Sequence, residues 1–234
     1  MPPRRWFTRY ARYFSTVEIN YTFYRLSAEK TFLRWREQDP LWFVYALKAP
    51  RTITHLRKLR ECKEVVDRFL DRARLLGSKL GPILYRLPRN WHCNVERLDA
   101  LLRLLPADLQ HVIEFRRESW HDDEVLDLLR EKGMTFCHVS LPDLDCPMVV
   151  TGPIVYARMH GLGVKYSGSY DKEQLQEVAG RAADHLDQGS DTFVYFNNDA
   201  QAHAVQNAWE LGRLVENLLG GDDAQRSYAL QEAG

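Results

Sequence analysis

Short apolar runs that stop abruptly in reactive side chains recur along this chain. They read Thr16-Val17-Glu18-Ile19-Asn20, Val44-Tyr45-Ala46-Leu47-Lys48, Val112-Ile113-Glu114-Phe115-Arg116, Ile154-Val155-Tyr156-Ala157-Arg158-Met159-His160 and Phe193-Val194-Tyr195-Phe196-Asn197-Asn198-Asp199. With the runs at 82–86 and 135–139 they predict seven strands: 16–20, 42–48, 82–86, 111–116, 135–139, 154–160 and 192–197. Helical periodicity lies between most of them, at 3–14, 28–38, 60–76, 94–105, 122–132, 171–188 and 201–219. Ser27 and Asp122 stand where N-caps belong, and Gly77 and Gly133 where helices stop. Segments 21–27, 51–55, 141–153 and 161–170 read as loops. A repeated strand, polar strand end and helix predicts an α/β fold of the TIM-type (β/α) barrel class, which presents its chemistry at the carboxyl ends of the strands. Such a barrel closes with eight strands, and this chain opens on a helix. The first strand is therefore expected to be absent, leaving an open seam between 16–20 and 192–197.

The length of 234 residues and the 45% hydrophobic content suit one barrel domain over 1–219, followed by a polar tail at 220–234. No apolar stretch approaches the roughly 20 residues of a membrane span, and the start Met1-Pro2-Pro3-Arg4-Arg5-Trp6 lacks the apolar core of a signal peptide. Cys62, Cys93, Cys137 and Cys146 show neither CxxC spacing nor the density of a secreted disulfide framework, so a reduced, cytoplasmic setting is expected. The zero net charge is unevenly spread. Residues 1–60 hold thirteen Lys/Arg against four Asp/Glu, and residues 171–234 four against twelve. A basic first quarter admits nucleic acid as a partner. Complementary first and last helices of a barrel explain the asymmetry better, so nucleic acid is not favoured.

The strand ends collect candidate chemistry. Glu18, Glu114 and Asp199 are carboxylates, and Asn20, His160 and Asn197 are further donors at the same level. Such a set could hold a divalent metal. It could equally perform metal-free acid–base chemistry, with Glu18 or Glu114 as base and His160 as acid or electrophile. The plainer alternative pairs the two glutamates with Lys48, Arg116 and Arg158, because buried charges need partners. Lys48, Arg51, Arg116 and Arg158, with Arg86 as a fifth cation, suit a small anionic ligand. The loop Gly161–Tyr170 falls where many barrels bind phosphate. Tyr24, Tyr166, Tyr170, Tyr195 and Trp120 offer aromatic faces for a sugar-like ring. Tyr166 and Tyr170, in that loop, are the expected ligand contacts, and Tyr195 the expected core residue. Asn198 and Asp199 complete the expected binding set, and Asn207 is expected to anchor the segment behind them.

Six blocks carry a family resemblance: Glu18-Ile19-Asn20 with Thr22-Phe23-Tyr24, Lys48-Ala49-Pro50-Arg51-Thr52-Ile53-Thr54-His55, Glu114-Phe115-Arg116 with Trp120, Arg158-Met159-His160-Gly161, Tyr166-Ser167-Gly168-Ser169-Tyr170, and Tyr195-Phe196-Asn197-Asn198-Asp199. In this order, from Pro2 to Arg213, they resemble the YecE-like family, catalogued as domain of unknown function 72. The resemblance implies a TIM-type barrel and assigns no activity. Two departures stand out. The opening strand and aromatic loop usual in the family, resembling Gly-Thr-Ser-Gly-Trp, are not in this sequence, and a start site set too far downstream is the expected cause. Arg86-Leu87-Pro88 stands where the family usually reads Gln-Leu-Pro, putting a cation in place of a neutral amide.

Overall fold

The computed structural model describes residues 6–38, 40–161 and 168–220. Seven parallel strands alternate with helices, and the fold is of the TIM-type α/β class. The strands are β1 (Thr16–Ile19), β2 (Val44–Lys48), β3 (Leu80–Arg86), β4 (His111–Glu114), β5 (Thr135–Ser140), β6 (Val155–Met159) and β7 (Thr192–Phe196). Their order is β1-β2-β3-β4-β5-β6-β7, with β1 and β7 at its two ends, as a barrel lacking one strand requires. The helices are α1 (Trp6–Tyr10), α2 (Tyr21–Tyr24), α3 (Glu29–Gln38), α4 (Lys63–Arg74), α5 (Val95–Leu102), α6 (Asp123–Glu131), α7 (Lys172–Asp187) and α8 (His203–Leu218).

Local chemistry sets most of these boundaries. Asp171 accepts from the Gln174 amide while the Gln174 side chain accepts from the Asp171 amide, a reciprocal cap that starts α7. Asn94 and Asp122 cap α5 and α6 by one-way bonds, each side chain accepting from a first-turn backbone amide, that of Arg97 and that of Glu124. Gly133 ends α6 at φ +65°, and Gly77, beyond the end of α4, opens a 3-10 turn at φ +59°, a conformation other residues adopt only at a cost. Three expectations need correction. The described part of the first helix, α1, covers Trp6–Tyr10 only. Segment 21–27 is not all loop, since Tyr21–Tyr24 form one helical turn. Ser27 does not cap α3, because its buried Oγ has no hydrogen-bond partner among the described residues.

Two compact units divide the chain. One comprises Met1–Cys137 with Cys146–Pro153, the other His138–Asp145 with Ile154–Gly234. In the first, alternate strand residues Val17, Ile19, Tyr45, Leu47, Ile83, Tyr85 and Ile113 join one apolar cluster with Phe32, Val66, Phe69, Leu98 and Val125 of the helices. Aromatic rings interlock in it, with Trp35 stacked on Tyr45 at 5.7 Å and Phe115 on Trp120 at 5.1 Å. The irregular stretch after β5 is tied back by Thr151, whose Oγ1 donates to the Met134 carbonyl and accepts from the Phe136 amide. Gly152 follows because a Cβ there would stand 2.7 Å from the Thr135 nitrogen. In the second unit Met159, Tyr170 and Leu175 form the apolar centre, with Val194, Phe196 and Leu214 against it. The tail at 221–234 lies outside the described residues.

Candidate functional site

Strand alternation decides which side chains meet. Since Val17, Ile19, Tyr45, Leu47, Tyr85 and Ile113 turn towards the helices, Glu18, Lys48, Arg86 and Glu114 occupy the opposite face of β1–β4. The register aligns Arg86 with Glu114 and Lys48 with Leu84, so these groups gather at the carboxyl ends of adjacent strands. Lys48 is buried, and its Nζ donates to Asn20 Oδ1 at 3.0 Å. Thr22 fixes that junction by donating from Oγ1 to the Lys48 carbonyl at 2.7 Å. Phe23, buried beside it, receives Lys48 Nζ at 5.0 Å and the Arg86 guanidinium at 5.1 Å from its ring centre. One aromatic ring thus accommodates two cations that would otherwise repel.

His55 completes this cluster, a residue that sequence reasoning placed in a family block without giving it a role. Its ring meets Phe23 edge-on at 5.0 Å. Arg86 can only donate, so His55 Nε2 accepts from it at 3.1 Å, and the ring proton sits on Nδ1, 2.8 Å from Thr54 Oγ1. Burial, then the charges of Arg86 and Lys48, push the His55 pKa down to about 4. A neutral imidazole therefore holds a guanidinium in place. The segment carrying it, read as a loop from sequence, is a π-helix over Thr52–Leu56, a rare conformation found often at functional sites. Lys58, Leu59 and Glu61 follow at φ 46°, 65° and 48°, strained for residues with a Cβ. Arg51, exposed, opens the same π-helix.

Glu114 is fully buried and accepts from Arg116 Nε, so this glutamate is held in an ion pair, as the plainer alternative had it. Glu18 is half-buried at the third position of β1. Trp120, buried and stacked on Phe115, donates from Nε1 to the Trp91 carbonyl and belongs to the core. Tyr24 is exposed against Phe23.

The second unit holds the remaining candidates. Arg158 within β6 and His160 just after it are both buried, with Arg158 Nη1 3.3 Å from His160 Nε2. Arginine donates there, so that nitrogen accepts, which suits a base or hydrogen-bond acceptor better than an acid. Tyr170 is buried. Its hydroxyl accepts from the Gly161 amide and donates to Ser140 Oγ, each at 3.0 Å, which gives this tyrosine the work of pinning a loop. Burial raises its pKa. Asn207 is the hub: its Oδ1 accepts from Asn198 Nδ2 at 2.9 Å and the Tyr170 amide at 3.2 Å, and its Nδ2 donates to Ser169 Oγ at 3.1 Å. It anchors both segments, as the sequence suggested. Asn198 also donates to the Gly168 carbonyl. Asn197 is half-buried and its backbone amide donates to the Met159 carbonyl. Asp199 is exposed, just before Gln201 and Ala202 at φ 57° and 63°. Tyr195 packs on Tyr156 at 5.2 Å. Tyr166 lies outside the described residues.

Among the described residues no three His, Cys, Asp or Glu side chains come together as a metal site would need. No helix among them is long and apolar enough to cross a membrane.

A family model described as "Protein of unknown function DUF72" matches residues 1–227. The UPF0759 protein YecE of Escherichia coli K12 is 37% identical over 159 residues, covering 67% of this chain and 56% of that protein. The chain thus spans little more than half the length of that relative. The UPF0759 protein YunF of Bacillus subtilis is 23% identical over 241 residues, covering 88% of this chain and 85% of that one. A DUF72 family protein from Thermotoga maritima superimposes with a TM-score of 0.83 at 25% identity, over 92% of this chain and 91% of its own. One from Enterococcus faecalis gives 0.78 at 20% identity, over 88% and 86%.

Proposed function

The chain belongs to the DUF72 family, whose description assigns no activity, and we propose that the ends of β2, β3 and β4 bind a small anionic ligand on which acid–base chemistry is performed. The observation that carries this reading is the convergence of Lys48 and Arg86 on the Phe23 ring, with uncharged His55 bracing Arg86. Lys48 and Arg86 share a strand face with two carboxylates, Glu18 and Glu114, Glu114 is already paired with Arg116, and Arg51 lies exposed at the start of the nearby π-helix. Cations held close together by an aromatic ring and a neutral imidazole are preorganised for a carboxylate or phosphate, which they meet without first rearranging. Glu18 and Glu114 are the candidate bases, each on the same strand face as the cations. A sugar-like ligand has less support, because Trp120 lies in the core and the Tyr170 hydroxyl is committed to the loop.

Arg86→Gln tests the reading directly. Glutamine is what the family resemblance leads one to expect at this position, and it keeps a donor for His55 while removing the charge. Calorimetric titration with phosphate and with a dicarboxylate should show affinity falling about tenfold or more, the worth of one charge-assisted contact. A neutral analogue should be unaffected. Equal weakening of charged and neutral ligands would remove the basis for an anion site.

A further inference from the structure

A cavity lies on the helix-facing side of β2. It measures about 660 Å³, within the range of small-molecule sites. The α2–α3 junction and one face of α4 line it, and Trp35 forms its floor, itself stacked on Tyr45. Tyr45 turns towards the helices, whereas Lys48 turns away from them, so the two sites lie on opposite faces of β2.

The lining is cationic. Arg25, Arg68 and Arg72 all contribute, the last two one turn apart on α4 and so side by side. Arg72 is neutralised by Glu29. Arg25 and Arg68 pair with no carboxylate among the described residues, and both are exposed. The first turn of α3 also borders the cavity through Ala28 and Thr31, and a helix start offers backbone N–H groups and a positive dipole end. Ser27, which would ordinarily cap that turn, is 7% exposed, and its Oγ has no hydrogen-bond partner among the described residues. That hydroxyl lies buried behind the cavity wall, so the anion-binding groups the cavity itself presents are the Arg25 and Arg68 guanidinium groups and the helix start, where Glu29 is turned to its ion pair with Arg72. Tyr21, 54% exposed, supplies a ring face to the same space.

We propose that this cavity binds a phosphorylated small molecule carrying a planar ring, a nucleoside monophosphate being the class that fits. The phosphate sits at the start of α3 between Arg25 and Arg68, and the ring lies against Tyr21. The two arginines give bidentate donors to the phosphate, and the volume accommodates the sugar and base.

The test is calorimetric titration of the full chain with adenosine 5′-monophosphate, inorganic phosphate and adenosine. The nucleotide should bind saturably, and more tightly than either fragment. The Arg25→Gln/Arg68→Gln double variant should lose about tenfold or more in affinity. Both side chains are on the surface, so its thermal melt should match the parent. Arg86→Gln, which alters only the strand-end cluster, should leave nucleotide affinity unchanged. The proposal is overturned if the nucleotide shows no saturable binding, if the double variant binds as tightly as the parent, or if Arg86→Gln weakens binding as much as the double variant does. The last result would assign the nucleotide to the strand ends or to general electrostatics.

Discussion

Single residues here act mostly by satisfying one another. Asn207 uses both its acceptor and its donor ends in a buried network with Ser169, Tyr170 and Asn198. Asn207→Ala would leave several buried polar groups unmatched, and we expect a loss of about 2–3 kcal/mol in urea unfolding. A loss under half of that would show the network to be replaceable by water. His55 and His111 are alike in another respect. Burial pushes each down to about 4 from the ordinary 6.5, against the raising effects of Glu114 on His55 and of the Pro106 carbonyl on His111. Between pH 6.5 and 4 the unfolded chain therefore binds protons that the folded chain refuses, so folding stability falls as the pH drops through that window. Above pH 6.5 neither group contributes a slope. His111→Gln should flatten the dependence between pH 6.5 and 4 in parallel denaturation curves; an unchanged slope would mean that the buried imidazole is not the source.

At the scale of elements, the loop between β5 and β6 shows how irregular chain is held. Thr151 bonds to Met134 and Phe136, and Gly152 lies against Thr135. Thr151→Val should cost about 1–2 kcal/mol through lost hydrogen bonds, and Gly152→Ala about 1–3 kcal/mol through overpacking. Unfolding midpoints equal to the parent's would place the anchor elsewhere. The helix at 122–132 was legible because Asp122 and Gly133 act on neighbours within a few residues, and the one at 171–188 because it is long enough to show its period. The π-helix at Thr52–Leu56 was not, since five residues are too few for a period and its strain at Lys58, Leu59 and Glu61 has no glycine to mark it. The site divides along the same line. Glu18, Lys48 and Glu114 stood out as charges at strand ends. The part of His55 stayed hidden, because its partner Arg86 lies 31 residues on and meets it only when β2 and β3 align. Trp120 misled in the opposite sense: its motif context suggested a ligand, and its stacking on Phe115 makes it core.

For the whole molecule, seven strands in an order that ends at β1 and β7 leave two strands with one strand neighbour each among the described residues. Amides of Thr16–Ile19 and Thr192–Phe196 should accordingly exchange with solvent faster than those of Ile83–Arg86, which have strands on both sides. Uniformly slow exchange would show those edges to be covered. The cationic strand ends are the chemical centre of this account, and one measurement reaches them most directly. Crystals soaked in tungstate, an oxyanion with a strong anomalous signal, should show a peak bridging Lys48 Nζ and the Arg86 guanidinium, and that peak should vanish in Arg86→Gln. An unchanged peak in the variant, or no tungstate between these two cations, would contradict the claim that the ends of β2 and β3 are built for an anion.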